Sequence, residues 1–111
     1  MSDPTTILQE RFGFAAFRPG QEQIVRYITE GGNGLVVMPT GAGKSLCFQV
    51  PGLARGGTTL VVSPLIALMK DQVDALVEFG VRATFLNSSI SRTEYQARTD
   101  AILRGEVEIL Y

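Results

Sequence analysis

The chain has 111 residues, 45% of them hydrophobic and 19% charged, which allows one buried core, argues against disorder, and is short for a motor of two lobes. A net charge of −1 and a pI near 5.3 supply no basic footprint for nucleic acid and do not exclude one. One cysteine and no histidine rule out an internal disulfide and leave no basis for a zinc site. A cytosolic, reducing setting is expected, with no secretory leader and no apolar run near the ~20 residues of a membrane span.

Asp3-Pro4 predicts a helix start, with Asp3 as N-cap and Pro4 at the first helical position. Ile7, Leu8 and Phe12 give that helix an apolar face, and Gly13 ends it. Residues 14–21 read Phe-Ala-Ala-Phe-Arg-Pro-Gly-Gln, after which Ile24, Val25, Tyr27 and Ile28 predict the inner face of a second helix, closed by Gly31-Gly32. Taken alone, the phenylalanines read as core and Arg18 and Gln21 as solvated. The same residues also offer flat stacking surfaces in Phe14 and Arg18. In Gln21 they offer a planar amide that donates and accepts together, as the edge of adenine requires.

Leu35, Val36 and Val37 form a short apolar run that predicts a buried strand leading to Met38, with Pro39 as its stop. The next residues are Thr40-Gly41-Ala42-Gly43-Lys44-Ser45, with a helix expected from Lys44. Glycines at 41 and 43 free the backbone to turn consecutive N–H groups around phosphate oxygens, and the helix start adds its positive end. Lys44 can reach the β and γ phosphates and Ser45 can ligate Mg²⁺, so the stretch predicts a nucleoside-triphosphate site. The strict phosphate-loop pattern asks for glycine where this chain has Met38. Pro39 to Ser45 instead follows the variant found in superfamily 2 helicases.

Leu46, Phe48, Val50 and Leu53 predict an apolar helix ending near Ala54, on which Cys47 reads as a small core side chain with nothing to lower its pKa. Residues 58–63 predict a second strand. From Leu65 to Phe79 the apolar residues Leu65, Leu68, Met69, Val73, Leu76 and Val77 recur at helical spacing, leaving Lys70, Asp71, Asp74 and Glu78 on a solvated face. Residues 81–86 predict a third strand ending in the polar loop Asn87-Ser88-Ser89. Ser91 and Glu94 have the spacing of a capping box, Tyr95, Ile102 and Leu103 supply an apolar side, and a fourth strand begins at Val107. Strands alternating with helices predict an α/β fold with a parallel sheet, whose ligands gather at the carboxyl ends of the strands.

These stretches together resemble the amino-terminal part of the RecQ family of DNA helicases. Phe12-Gly13-Phe14 with Phe17-Arg18-Pro19-Gly20-Gln21 is similar to that family's motif 0, Met38 to Ser45 to its motif I, and Ser63 to Gln72, reading Ser-Pro-Leu-Ile-Ala-Leu-Met-Lys-Asp-Gln, to its motif Ia. DEAD-box RNA helicases differ in their adenine motif and in an Arg-Glu-Leu within motif Ia, neither of which stands here.

The resemblance implies a partial RecA-like domain in which Gln21 bonds adenine and Phe14 and Arg18 pack on its faces. It further implies that Thr40 to Ser45 bind the phosphates of ATP, that Lys44 acts in hydrolysis and that Ser45 holds Mg²⁺. Ser63, Pro64 and Lys70 would meet the backbone of single-stranded or partly duplex DNA, with the Asn87 loop adding to them. The implied activity is ATP-dependent 3′→5′ unwinding in recombination, repair and replication, at the nucleoid if the source is bacterial. An Asp-Glu-Ala-His segment and a second lobe, which such activity needs, are absent from the sequence, so the chain is expected to be one part of a longer helicase and inactive by itself. Two other readings stand beside this one. A stand-alone module could bind nucleotide or a partner without catalysis, and a small kinase or ATPase is disfavoured by Met38 and by the lack of an acidic base after a strand.

Overall fold

The computed structural model describes residues 2–39 and 43–111, which divide into two compact units, one up to Gly56 and one from Gly57.

In the first unit, helix α1 spans Pro4–Phe12, α2 Gln21–Thr29 and α3 Leu46–Arg55. The expected start of α1 forms as read. The Asp3 carboxylate accepts from the Thr6 N–H at 3.1 Å, and Gly13 closes the helix in the left-handed region at φ 74° with its N–H on the Leu8 carbonyl. That Thr6 bond, helped by Arg26, holds the Asp3 carboxyl below its usual range. Leu8, Val25 and Val50, one from each helix, form the fully buried centre on which α3 packs against both α1 and α2.

Two expectations change here. The inward stripe of α2 is Gln21, Val25 and Thr29 at four-residue spacing, with Ile24 and Ile28 half-buried. Tyr27 is exposed, its hydroxyl donating to the Asn33 carbonyl at 3.0 Å. Helix α3 begins at Leu46, and Lys44 and Ser45 form a preceding turn in which the Cys47 N–H bonds the Lys44 carbonyl.

The expected strand at residues 35–38 does not form. Leu35 is 92% and Val37 86% exposed, and no strand pairs with this segment among the described residues. Apolar composition supplies the tendency to be buried, but a strand exists only when a neighbour completes its ladder of hydrogen bonds.

The second unit carries the sheet. Strands β1 (Thr59–Leu60), β2 (Ala83–Thr84) and β3 (Ile109–Leu110) are all parallel, in the order β1-β3-β2, with Thr59 and Ala83 both in register with Ile109. This is the expected α/β architecture with a parallel sheet. Pairing runs slightly past the short strands, through Val61 N–H to the Leu110 carbonyl and Leu86 N–H to the Tyr111 carbonyl. Helix α4 (Ile66–Glu78) packs on β2, burying Met69, Val73 and Leu76, while Ile109 is fully enclosed in the middle strand.

Helix α5 (Arg92–Leu103) starts as its capping residues predict, with Ser91 Oγ accepting from the Glu94 N–H at 3.1 Å. Its predicted apolar side is not covered, however. Tyr95 and Leu103 are exposed and no residue of α5 is fully buried. The helix is tied down by Arg98, which donates to the Phe85 carbonyl at 2.8 Å and lies over the Phe85 ring. No helix among the described residues is long and apolar enough to cross a membrane.

Candidate functional site

The first unit brings together parts that are far apart in sequence. Gly20, at φ 86°, opens α2 and places Gln21 in its first turn, where the side chain is only 1% exposed. Burying a primary amide is unfavourable unless its polar atoms are bonded. Gln21 meets that demand by accepting from the Arg18 N–H through Oε1 at 2.8 Å and donating from Nε2 to the Gly43 carbonyl at 3.1 Å. The Gln21 N–H closes the turn on the Arg18 carbonyl at 3.0 Å. Gly43 has φ 80°, and a β-carbon there would collide with Gln21 Nε2. The backbone conformation favours glycine, and a side chain there would also displace the Gln21 amide from the Gly43 carbonyl. An Arg18 guanidinium nitrogen lies 4.0 Å from where that β-carbon would stand.

The same Gly43 carbonyl also meets Cys47, whose Sγ is 3.8 Å from it and 3.8 Å from Met38 Sδ. Cys47 is buried, which pushes its thiol above the ordinary range, so it is neutral at physiological pH. It behaves as the small core side chain the sequence suggests.

The remaining candidates are placed less closely. Phe14 is about half exposed, with its N–H on the Leu8 carbonyl at 3.3 Å. Lys44 is exposed and Ser45 half-buried, and Ser45 makes no side-chain capping bond to α3, so its hydroxyl is not spent on the helix. Thr40, Gly41 and Ala42 lie outside the described residues. Among the described residues, no group of three or more cysteine, aspartate or glutamate side chains could hold a metal ion.

In the second unit, Ser63 stands three residues beyond Leu60 and Asn87 three beyond Thr84, and Leu60 and Thr84 are both in register with Leu110. Both therefore leave the same carboxyl edge of the parallel sheet. Ser63 Oγ accepts from the Leu65 N–H at 3.2 Å just ahead of α4, and Pro64 is exposed. Lys70 is exposed and paired with Asp74 at 2.7 Å, an exposed pair that raises the Lys70 pKa through its hydrogen bond. Asn87 Oδ1 accepts from the Ser89 N–H at 2.8 Å, giving the polar loop its own turn.

A model of the family described as DEAD/DEAH box helicase matches residues 18–111. The chain belongs to the DEAD/DEAH box helicase family. Among its relatives, it is 47% identical over 106 residues to the protein named ATP-dependent DNA helicase RecQ of Haemophilus influenzae, covering 96% of this chain and 17% of that one. The protein of the same name in Bacillus subtilis is 46% identical over 107 residues, 96% of this chain and 18% of its own length. The protein named ATP-dependent DNA helicase Q-like 2 of Arabidopsis thaliana is 43% identical over 102 residues, 90% of this chain and 14% of its own. The chain thus spans less than a fifth of the length of these helicases.

One contact beside the Arg18 to Gln21 turn has no counterpart among the sequence expectations. Gln9, on an exposed turn of α1, donates from Nε2 to the Ala15 carbonyl at 3.0 Å and so holds the segment between Gly13 and Arg18. A glutamine four residues before a helix-ending glycine is the only signal the sequence offers for it.

Proposed function

We propose that this chain is the ATP-binding part of an ATP-dependent DNA helicase that moves 3′→5′ and serves recombination, repair and replication. The observation that carries the reading is the bond from Gln21 to the Gly43 carbonyl, because it joins the Arg18 to Gln21 turn to the glycine-rich loop. The names of the relatives support the same activity.

Each residue has a part that its chemistry suits. Among the described residues Gln21 uses one N–H and one lone pair of its amide, and a primary amide has two of each, which leaves a donor and an acceptor for the adenine edge. Phe14 and Arg18 offer the flat faces against which the base packs. Because Gln21 is buried, base entry shifts the Arg18 turn or exchanges one of its bonds. Lys44 and the backbone N–H groups of Gly41 to Ser45, with Thr40 beside them, receive the phosphates, and Lys44 offsets charge that builds on the γ-phosphoryl group during transfer to water. Ser45 offers a hydroxyl oxygen, the hard donor that Mg²⁺ takes; bound there, the ion would neutralise phosphate charge. Ser63, Pro64 and Lys70, with the Asn87 loop, offer groups at the carboxyl edge of the sheet for the phosphodiester backbone of DNA, reading charge and shape.

The 111 residues alone are inactive on this reading, since the rest of the helicase chain supplies the acidic pair and the arginine. Loss of an arginine finger alone slows phosphoryl transfer by about 10³- to 10⁵-fold. The test is made on the full-length protein. It should hydrolyse ATP in response to single-stranded DNA and unwind a duplex bearing a 3′ tail, with both activities lost in Lys44→Ala. Unwinding only from a 5′ tail, or turnover that survives Lys44→Ala, contradicts the proposal.

A further inference from the structure

The loop that carries Phe14 is held at three points. At its entry the Phe14 N–H bonds the Leu8 carbonyl, and at its exit Arg18 and Gln21 bond each other twice, backbone to side chain and backbone to backbone. Between these ends Phe17 is half-buried, and the hydrogen bond that holds the loop backbone among the described residues is Gln9 Nε2 on the Ala15 carbonyl at 3.0 Å. The geometry points to Gln9 as a positioning residue for the adenine site, which fixes the residue next to Phe14 and so sets where the aromatic face stands. This rests on the assignment of Phe14, Arg18 and Gln21 to the base.

Three features favour that role over a purely structural one. Gln9 is exposed and buries nothing, so the core of α1, made by Ile7, Leu8 and Phe12, does not depend on it. Its bond leaves the helix and reaches six residues ahead into the loop, where it cannot serve α1 itself. Ala15 and Ala16 have no polar side chain to bond their own backbone, so the Ala15 carbonyl takes its partner from outside the loop, in Gln9. A pre-set platform lowers the ordering required when the base arrives.

The test uses the full-length protein and two probes, ATP and inorganic tripolyphosphate, which shares the phosphates and lacks the base. Gln9→Glu keeps the shape and removes the donor. It should raise the KM for ATP about two- to tenfold, the range of one net hydrogen bond, while the inhibition constant of tripolyphosphate stays within about twofold. Gln9→Lys keeps a donor on a longer stem and should return KM to within about twofold of the unmutated protein. An unchanged KM in Gln9→Glu, or KM and the tripolyphosphate constant rising together, overturns the inference. Gln21→Ala separates it from the parent reading. If Gln21→Ala raises only the KM for ATP and Gln9→Glu does not, the role of Gln9 alone falls; if neither does, the adenine site itself is wrong.

Discussion

Gln21, buried in the first turn of α2, donates its side-chain amide to the backbone carbonyl of Gly43, 22 residues further along the chain, at 3.1 Å. One hydrogen bond thus couples the turn that carries Arg18 to the loop that carries Lys44 and Ser45. A change at either end of that bond should be felt at the other.

Gly43→Ala tests the coupling from the loop side. An alanine there adopts an unfavourable left-handed φ, at about 1–2 kcal/mol, and its β-carbon drives into Gln21 Nε2. The KM for ATP of the full-length protein should rise about tenfold or more, because the strain and the lost bond add. Gly105→Ala is the matched control, since Gly105 has φ 73° with open space around its β-position. It should leave KM alone. Equal effects of the two substitutions would place the cause in backbone strain and not in the Gln21 contact.

The apolar segment at residues 35–38 predicts the behaviour of the 111-residue chain. Leu35 and Val37 are almost fully exposed, and an exposed apolar segment with no strand partner among the described residues is a template for pairing with another copy. Sedimentation of the purified chain should show concentration-dependent association, and Leu35→Lys with Val37→Lys should reduce it. A monomer that unfolds cooperatively, with a midpoint raised by Mg-ATP, would instead mark a self-sufficient nucleotide-binding module.

Cys47 makes a pH prediction. Burial raises its pKa in the folded state, so the neutral thiol is the form that the fold stabilises. That contribution is fully present below the pKa of the unfolded thiol and is lost as pH rises through the higher, folded value. Labelling by a disulfide reagent should be slow near neutral pH, accelerate only in the alkaline range, and become fast on denaturation. Rapid labelling of the native protein at pH 7 would show that Cys47 is accessible and ionised.

What could be read in advance divides along physical lines. The starts of α1 and α5 were legible because Asp3 and Ser91 cap through partners three residues away, Thr6 and Glu94, and local bonds follow from local sequence. The parallel sheet was legible from the alternation of apolar runs and helices. The strand expected at residues 35–38 and the covered side expected of α5 do not form, since both need surfaces supplied by tertiary neighbours that no periodicity encodes. The same holds at the site. Sequence marks Gln21 and Gly43 as separate candidates, but their bond depends on the packing of α2 against α3, which no local pattern encodes. Gln9 escaped notice because its partner is a backbone carbonyl, which carries no residue signature.

The central claim, that Gln21 reads adenine while Lys44 serves the phosphates, is tested most directly by steady-state kinetics of the full-length protein with ATP and GTP. The unmutated protein should prefer ATP. Gln21→Ala should raise the KM for ATP about tenfold and erase the preference, whereas Lys44→Ala should act mainly on kcat by removing charge stabilisation of the transition state. Equal use of ATP and GTP by the unmutated protein, or a Gln21→Ala variant that keeps the preference, would contradict the account.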